Sequence, residues 1–334
     1  MLGYLARRLG AYAVMTFVAT SIAYLAAVSF LRPDLRLLAA TPRPAPEVVQ
    51  ARLADFGLDP TASAWERYGH WLHGVVTAWD WGNSPGGTPV SAEFVERALM
   101  SGRLMLLATL LQIVLGVALG VFCAVRHHRP SDRVITTASF VIACLPAPVA
   151  FLWVQMAGIF TNAYASHYLG QRLVYVSGMG SPVPPEGFWA GLGDQAAHLV
   201  LPTIALTLLG YGGYHLLQRS VLLDDVDSDY VRTARAKGLT RAQAIRRHAL
   251  RTSFVPVAQN IAFALPAVFA GAFVVEAVFA WEGLGSYTLD ALTRTQDVNA
   301  VVASMAFGCV LFAVGAIAAD VVIEVIDPRA RGVR

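Results

Sequence analysis

The chain has 334 residues, of which 56% are apolar and 14% charged, with a mean hydropathy of +0.54. That is too little polar surface to coat a water-soluble globule of this size, so a lipid-facing exterior is the economical reading. Cys123, Cys144 and Cys309 all fall inside apolar runs, which points to neither a disulfide framework nor a thiolate metal cluster, and the net charge of +3 informs only through its placement.

A membrane span needs roughly 20 apolar residues, because the hydrocarbon core is about 30 Å thick and a helix rises about 1.5 Å per residue. Residues 9–31 carry no charge and follow Arg7-Arg8. This run is longer than the roughly 7 to 15 residues of a signal-peptide core, so it predicts a retained first span. The segment 32–103 follows, opening on Thr41-Pro-Arg-Pro-Ala-Pro46. Its pattern predicts short amphipathic helices around 48–56 and 65–76, with a turn at Gly82-Asn-Ser-Pro-Gly-Gly87. It reads as an extracytoplasmic subdomain packed on the membrane face.

The second span is expected over 104–125, where Gly116 and Gly120 form a small-xxx-small step that lets another helix approach. The third is expected over 134–160, bent or interrupted by Pro146 and Pro148, which lack backbone donors. Runs at 197–217, 254–281 and 299–319 complete six spans, which put both termini on one side. The fold class is therefore an all-α polytopic membrane protein. It divides into 1–31 (N-terminus and first span), 32–103 (the extracytoplasmic subdomain) and 104–334, a five-helix core holding a cytoplasmic loop at 219–253.

Arginine placement orients these spans. With the N-terminus inside, the inner segments hold Arg7 and Arg8, then Arg126, Arg129 and Arg133, the cluster from Arg219 to Arg251, and Arg329, Arg331 and Arg334. The two short outer loops hold only Arg172 and Arg294, as the positive-inside rule requires. The arginines of 32–103 do not count against this, since long loops translocate largely regardless of charge.

Catalytic and metal signatures are sparse. The only lysine, Lys237, stands in no P-loop, so nucleotide energy has to come from another subunit. His70 and His73, and the adjacent His127 and His128, lack a third ligand at familiar spacing and read as helix-face or interfacial histidines. Neither H-E-x-x-H nor the hydrolase signature G-x-S-x-G is read in the sequence, which sets aside the best-marked hydrolase classes, and the chain is read as carrying no catalytic centre and no cofactor. Glu276 and Asp320 are the acids within the apolar runs, both near expected membrane faces rather than mid-span, which weakens an ion-coupled carrier.

The inner loop is the most informative segment. Ser228 or Asp229 can cap a short helix through Lys237, with acids at its start and Arg235 and Lys237 near its end, as the helix dipole favours. Gly238 sits at the left-handed residue that ends it, and Thr240 with Gln243 makes a capping box for a second helix through Ala244, Ile245, His248 and Ala249. The result is a helix-Gly-helix elbow. Tyr230, Val231 and Ala234 share one face of its first helix and Arg232 and Arg235 another. Such a helix either lies on anionic lipid or docks its apolar face in a partner groove.

Tyr230-Val-Arg-Thr-Ala-Arg-Ala-Lys-Gly-Leu239, followed by His248-Ala-Leu-Arg251 and Pro256, resembles the inner-membrane permease subunits of peptide-type ABC importers, the oligopeptide and dipeptide permeases. Against the broader importer motif E-A-A-x3-G-x9-I-x-L-P, Arg232-Thr-Ala stands for E-A-A, Gly238 keeps the glycine, and His248-Ala-Leu-Arg stands for the last four letters. Tyr4-Leu-Ala-Arg-Arg-Leu9, Gly57-Leu-Asp-Pro60, Arg67-Tyr-Gly-His-Trp-Leu72, Asp80-Trp-Gly-Asn-Ser84 and Glu276-Ala-Val-Phe-Ala-Trp-Glu-Gly-Leu-Gly285 extend the likeness over nearly the whole chain. Two departures are local: Glu282 stands where the family usually has Pro, and Leu31-Arg-Pro-Asp34 is a reduced form of its Pro-Gly-Asp-Pro.

The resemblance implies a type I ABC importer permease in the bacterial cytoplasmic membrane, with both termini cytoplasmic. It further implies a second homologous permease subunit, two cytoplasmic ATPase subunits that bind ATP and Mg, an external substrate-binding protein and a peptide substrate. Tyr230, Val231, Arg232, Thr233, Ala234, Arg235, Ala236, Lys237, Gly238 and Leu239 would couple the chain to the ATPases, while the substrate path stays unassigned. The alternatives are a self-contained secondary carrier or channel, and an ABC permease for nickel or another non-peptide solute.

Overall fold

The computed structural model describes residues 2–38, 42, 44–59, 61–183, 185–226 and 228–326. Thr41, Arg43, Pro60, Asp227, Arg329, Arg331 and Arg334, on which parts of the reading above fall, lie outside the described residues. So do the side chains of Tyr4 and Leu5 and those of 262–272.

The described residues form helices α1 (Leu2–Phe30), α2 (Pro33–Leu38), α3 (Pro46–Asp55), α4 (Ala64–Ala78), α5 (Val90–Val125), α6 (Pro130–Ala143), α7 (Ala147–Leu169), α8 (Phe188–Val226), α9 (Asp229–Ala236), α10 (Arg241–Ala244), α11 (Leu250–Phe279), α12 (Leu284–Asp290) and α13 (Val298–Ile326). Short π segments join α10 to α11 (Ile245–Ala249) and follow α12 (Ala291–Thr295). The strand-like geometry among them is one isolated bridge, Asn83 with Pro89.

Among the described residues, four helices are long and apolar enough to cross a membrane, within Ala6–Phe30, Val90–Val125, Phe188–Val226 and Val298–Val321. The pair α6 and α7 brings this to five if it counts as one span. The fifth expected span falls on α11, part of whose side chains lie outside the described residues. The expected third span is not one bent helix but two, meeting at 108°. Pro146 and Pro148 have no N–H to continue the ladder, and Cys144 closes α6 with bonds to the carbonyls of Phe140 and Val141. The second and fourth spans start earlier than their apolar runs. Glu93, Glu96, Arg97, Arg103 and Asp194 interrupt hydropathy but not the helix, so α5 and α8 reach 36 and 39 residues. At about 1.5 Å per residue these rods are about 54 and 58 Å long, well beyond the hydrocarbon core.

The chain forms two compact units. The first comprises Met1–Gly102, Phe269–Glu276 and Glu282–Val314. Its core gathers Tyr24 and Ala27 of α1 and Leu31 just past it with Val49, Leu53, Phe56 and Leu58 around α3 and Val298, Val301 and Val302 of α13. Helix α4 opens on a full capping box, in which the Ser63 hydroxyl accepts from Glu66 N–H and the Glu66 carboxylate accepts from Ser63 N–H. The turn after it is pinned to α13. Asp297 caps α13 through Ala300 N–H at 3.0 Å and accepts from the buried Ser84 hydroxyl, while Asn299 donates to the carbonyls of Phe56 and Asn83.

The second unit comprises Arg103–Val268, Ala277–Trp281 and Gly315–Arg334. Here the small-xxx-small step does bring two helices together: Cβ atoms on Gly116 and Gly120 would run into Tyr211 O and Tyr214 Cβ, and into His215 O and Gln218 Cβ, of α8. Helices α6 and α8 are tied by the guanidinium of Arg219, whose Nε and NH2 donate to the two carboxylate oxygens of the buried Asp132 at 2.7 and 2.9 Å. Asp132 also accepts from His128 N–H and Thr136 Oγ1.

Candidate functional site

The elbow is built as the residue pattern demands, with one difference of orientation. Ser228 is the N-cap residue of α9 by backbone geometry, but its hydroxyl turns back to the carbonyl of Asp225 and does not cap the helix. The helix ends at Ala236, and Gly238 follows at φ 95°. Gly238 N–H donates to Arg235 O at 2.9 Å and Leu239 N–H to Ala234 O at 3.3 Å, the paired bonds of a Schellman turn. Thr240 and Gln243 then form their capping box in full. Helix α10 passes through the π segment Ile245–Ala249 directly into α11, so the elbow and the fifth apolar run are one continuous helical path.

Val231 and Ala234 are buried within the chain, packed with Ala124 of α5, Leu222 and Val226 of α8, and Ala244, Ile245 and Ala249. Leu239 packs on the same cluster. The apolar face of α9 is thus spent on the chain's own helices and is not free to enter a partner groove, as its helical spacing alone suggested it could. What α9 and its C-cap residue Lys237 present outward is Asp229, Arg232, Thr233, Arg235, Ala236 and Lys237, continued by the exposed Arg241, Arg246, Arg247 and His248. Tyr230 is exposed at the edge with its phenol beside Ser228, Asp225 and Thr252, and the desolvation it does suffer pushes it above its ordinary value. The elbow is therefore a predominantly cationic knob held from behind by an apolar cluster.

The other singled-out residues fall elsewhere. Glu276 is buried in a structural network: Ser101 Oγ donates to its Oε1, Ser286 N–H donates to Oε2 at 2.7 Å, and Leu284 N–H donates to Ser101 Oγ. Gly283 lies so close to Glu276 and Ser101 that no Cβ fits there. Next to it Glu282, the departure from the family's Pro, pairs with Arg97 at 2.7 Å. His70 and His73 are exposed on α4, and His127 lies 3.4 Å from Asp132 beside Arg219. Gly82-Asn-Ser-Pro-Gly86 spells the G-x-S-x-G of a nucleophile elbow, which the reading for hydrolase signatures missed. Its serine, however, is buried in a turn with its hydroxyl committed to Asp297 rather than exposed between strand and helix.

Long apolar helices and a cationic elbow continuous with α11 fit a membrane transport subunit. The chain belongs to the family described as binding-protein-dependent transport system inner membrane component, which matches residues 116–332. It is 34% identical to the oligopeptide transport system permease protein OppB of Mycobacterium tuberculosis over 331 residues, covering 99% of each chain. It is 31% identical to the dipeptide transport system permease protein DppB of Escherichia coli over 350 aligned residues, again 99% of each. To the oligopeptide transport system permease protein AppB of Bacillus subtilis it is 30% identical over 79% of each chain. The family is the permease component of ABC importers, a transport subunit whose ATPase activity resides in separate chains.

Proposed function

We propose that this chain is one of two related permease subunits of an ATP-driven importer for oligopeptides or dipeptides. The observation that carries this reading is similarity along the full length to permeases named for those substrates. Partners of the complex are a second homologous permease, two ATPase subunits supplying ATP and Mg chemistry, and an external binding protein that delivers peptide. The chain crosses the cytoplasmic membrane six times with both termini inside, 32–103 outside, and 104–334 forming the core. Supporting this are the arginine bias of the short loops and the length of α11.

Residues Tyr230 to Leu239 are the coupling site, through which ATPase closure reaches α11. Its support is the exposed cationic side of α9 and the continuity of α10 with α11. The test is reconstitution of the chain with its partners in liposomes. Labelled peptide accumulates only with ATP, binding protein and both ATPases present. Uptake driven by an ion gradient without the ATPases overturns the reading. For topology, single cysteines at the exposed Gly86 and Ala236 are labelled in intact cells with an impermeant reagent. Reaction at 86 and protection at 236 is expected, and the reverse pattern refutes the orientation.

A further inference from the structure

Helix α4 follows the first span in sequence, yet it packs far down that span. The Tyr68 and Ser21 hydroxyls are 2.7 Å apart, and the Tyr24 and Trp71 rings stack with centroids at 4.7 Å. If Arg7 and Arg8 mark one membrane boundary, about 30 Å of hydrocarbon takes roughly 20 residues and the other boundary falls near Phe30. Tyr24 and Ser21 then lie about 9 and 14 Å inside it, at about 1.5 Å per residue. A helix in contact with both cannot stand clear of the lipid.

The three faces of α4 agree with that depth. At about 100° per residue, Tyr68, Trp71 and Val75 share the side turned to α1. Trp65, Leu72 and Val76 fall together within an arc of about 40° on the adjoining side. There Trp65 is 70% and Val76 73% exposed, although both are apolar. Glu66, His70, His73 and Thr77 occupy the next arc, and all are exposed. Trp79, just past the helix, is held at φ 55°, a conformation unfavourable for a bulky residue, yet is 67% exposed and gains little burial from it. Protein, apolar and polar faces in sequence around one helix are what an interfacial helix needs, with tryptophans at the headgroup level.

We propose that α4 is a membrane-embedded interfacial helix, lying in the leaflet where α1 ends, with Trp65, Val76 and Trp79 in contact with phospholipid and Glu66, His70 and His73 toward water. On the span α4 packs against, the apolar Val14, Val18 and Ile22 are likewise exposed. This rests on α1 being a span and not on the substrate or the coupling site, so its failure is separable from theirs.

The test uses the chain with its partner subunits in phosphatidylcholine nanodiscs, with Cys123, Cys144 and Cys309 replaced by Ala. Nitroxides are placed singly through Trp65→Cys, Val76→Cys, His70→Cys and His73→Cys. Labels at 65 and 76 should relax more with oxygen, which partitions into lipid, and those at 70 and 73 more with a water-soluble nickel chelate. A nickel preference at 65 and 76 places the face in water, and shielding from both reagents places it under a protein partner; either overturns the proposal. Independently of any cysteine, brominated phosphatidylcholine should quench the native tryptophan emission. That quenched fraction should fall on combining Trp65→Phe with Trp79→Phe, and an unchanged fraction also overturns it.

Discussion

Gly238 offers a prediction in which conformation and bulk can be told apart. Its φ is 95°, and a Cβ built on it meets nothing within 4 Å. Any cost of substitution is therefore backbone strain, not collision. A residue with a Cβ in the left-handed region is penalised by about 1–2 kcal/mol, a β-branched one most and Asn least, because its short polar side chain bonds locally. The expected order of damage is Gly238→Asn, then Gly238→Ala, then Gly238→Val. At about 1.4 kcal/mol per factor of ten, the opened elbow becomes roughly 5 to 30 times more populated in the last two. Hydrogen exchange reads this directly at the Gly238 and Leu239 amides, which donate to Arg235 O and Ala234 O. Under the coupling proposal, ATP-driven peptide uptake falls in the same order while membrane abundance holds. Exchange rates that do not change across the series, or an Asn variant as damaged as the Val variant, refute the reasoning.

Four further outcomes follow from the packing and the caps. Asp132→Ala strips the partner from Arg219 and should cost about 3 kcal/mol, the low end of the range for broken buried pairs, because Arg219 keeps 20% of its side chain exposed. Thermal unfolding of Asp132→Ala, Arg219→Ala and the double variant checks this, and fully additive losses show that the pair is not coupled. Gly120→Ala places a Cβ 2.8 Å from Gln218 Cβ and 2.9 Å from His215 O, forcing α5 and α8 apart at about 1–3 kcal/mol. Gly10→Ala, with open space around it, should leave the melting temperature unchanged or raise it. The Ser63 N–H and hydroxyl hold the Glu66 carboxyl below its ordinary 4.5, so this cap is intact above that pH and opens as pH falls through the lowered value. Exchange at the first turn of α4 should accelerate only in that acid range, and Glu66→Gln, which keeps the acceptor, should remove the dependence.

Features set by local chemistry were legible in the sequence. Gly238, the Thr240–Gln243 box and the proline break after α6 each depend on a few neighbouring residues, and the Gly116–Gly120 step marked a close approach without naming α8 as the helix that makes it. The Ser63–Glu66 box had an equally local signal, S-x-x-E, and was overlooked. Features set by meeting of distant segments were not legible. Arg219 finds Asp132 across 87 positions, and Ser84 finds Asp297 across 213, and no spacing rule ties either pair. The inward turn of Val231 and Ala234 belongs with these, because helical periodicity identifies an apolar face but not what covers it. The starts of α5 and α8 were misplaced for another reason. Hydropathy reports where a helix meets lipid, and both helices continue beyond that through charged turns.

The break between α6 and α7 has a mechanical consequence. Helix α7 has 23 residues and is about 35 Å long, and it starts at a corner where two prolines leave no ladder bond to hold the angle. The angle is held from the side instead, by Gln155 Nε2 donating to Val278 O at 2.7 Å and by Gly158 lying against Leu201. Each degree of rotation at the corner carries the far end, near Leu169, through about 0.6 Å, so ten degrees sweep about 6 Å without a helical hydrogen bond breaking. A side chain at that tip moves by the width of a helix turn, while one beside Pro148 scarcely shifts.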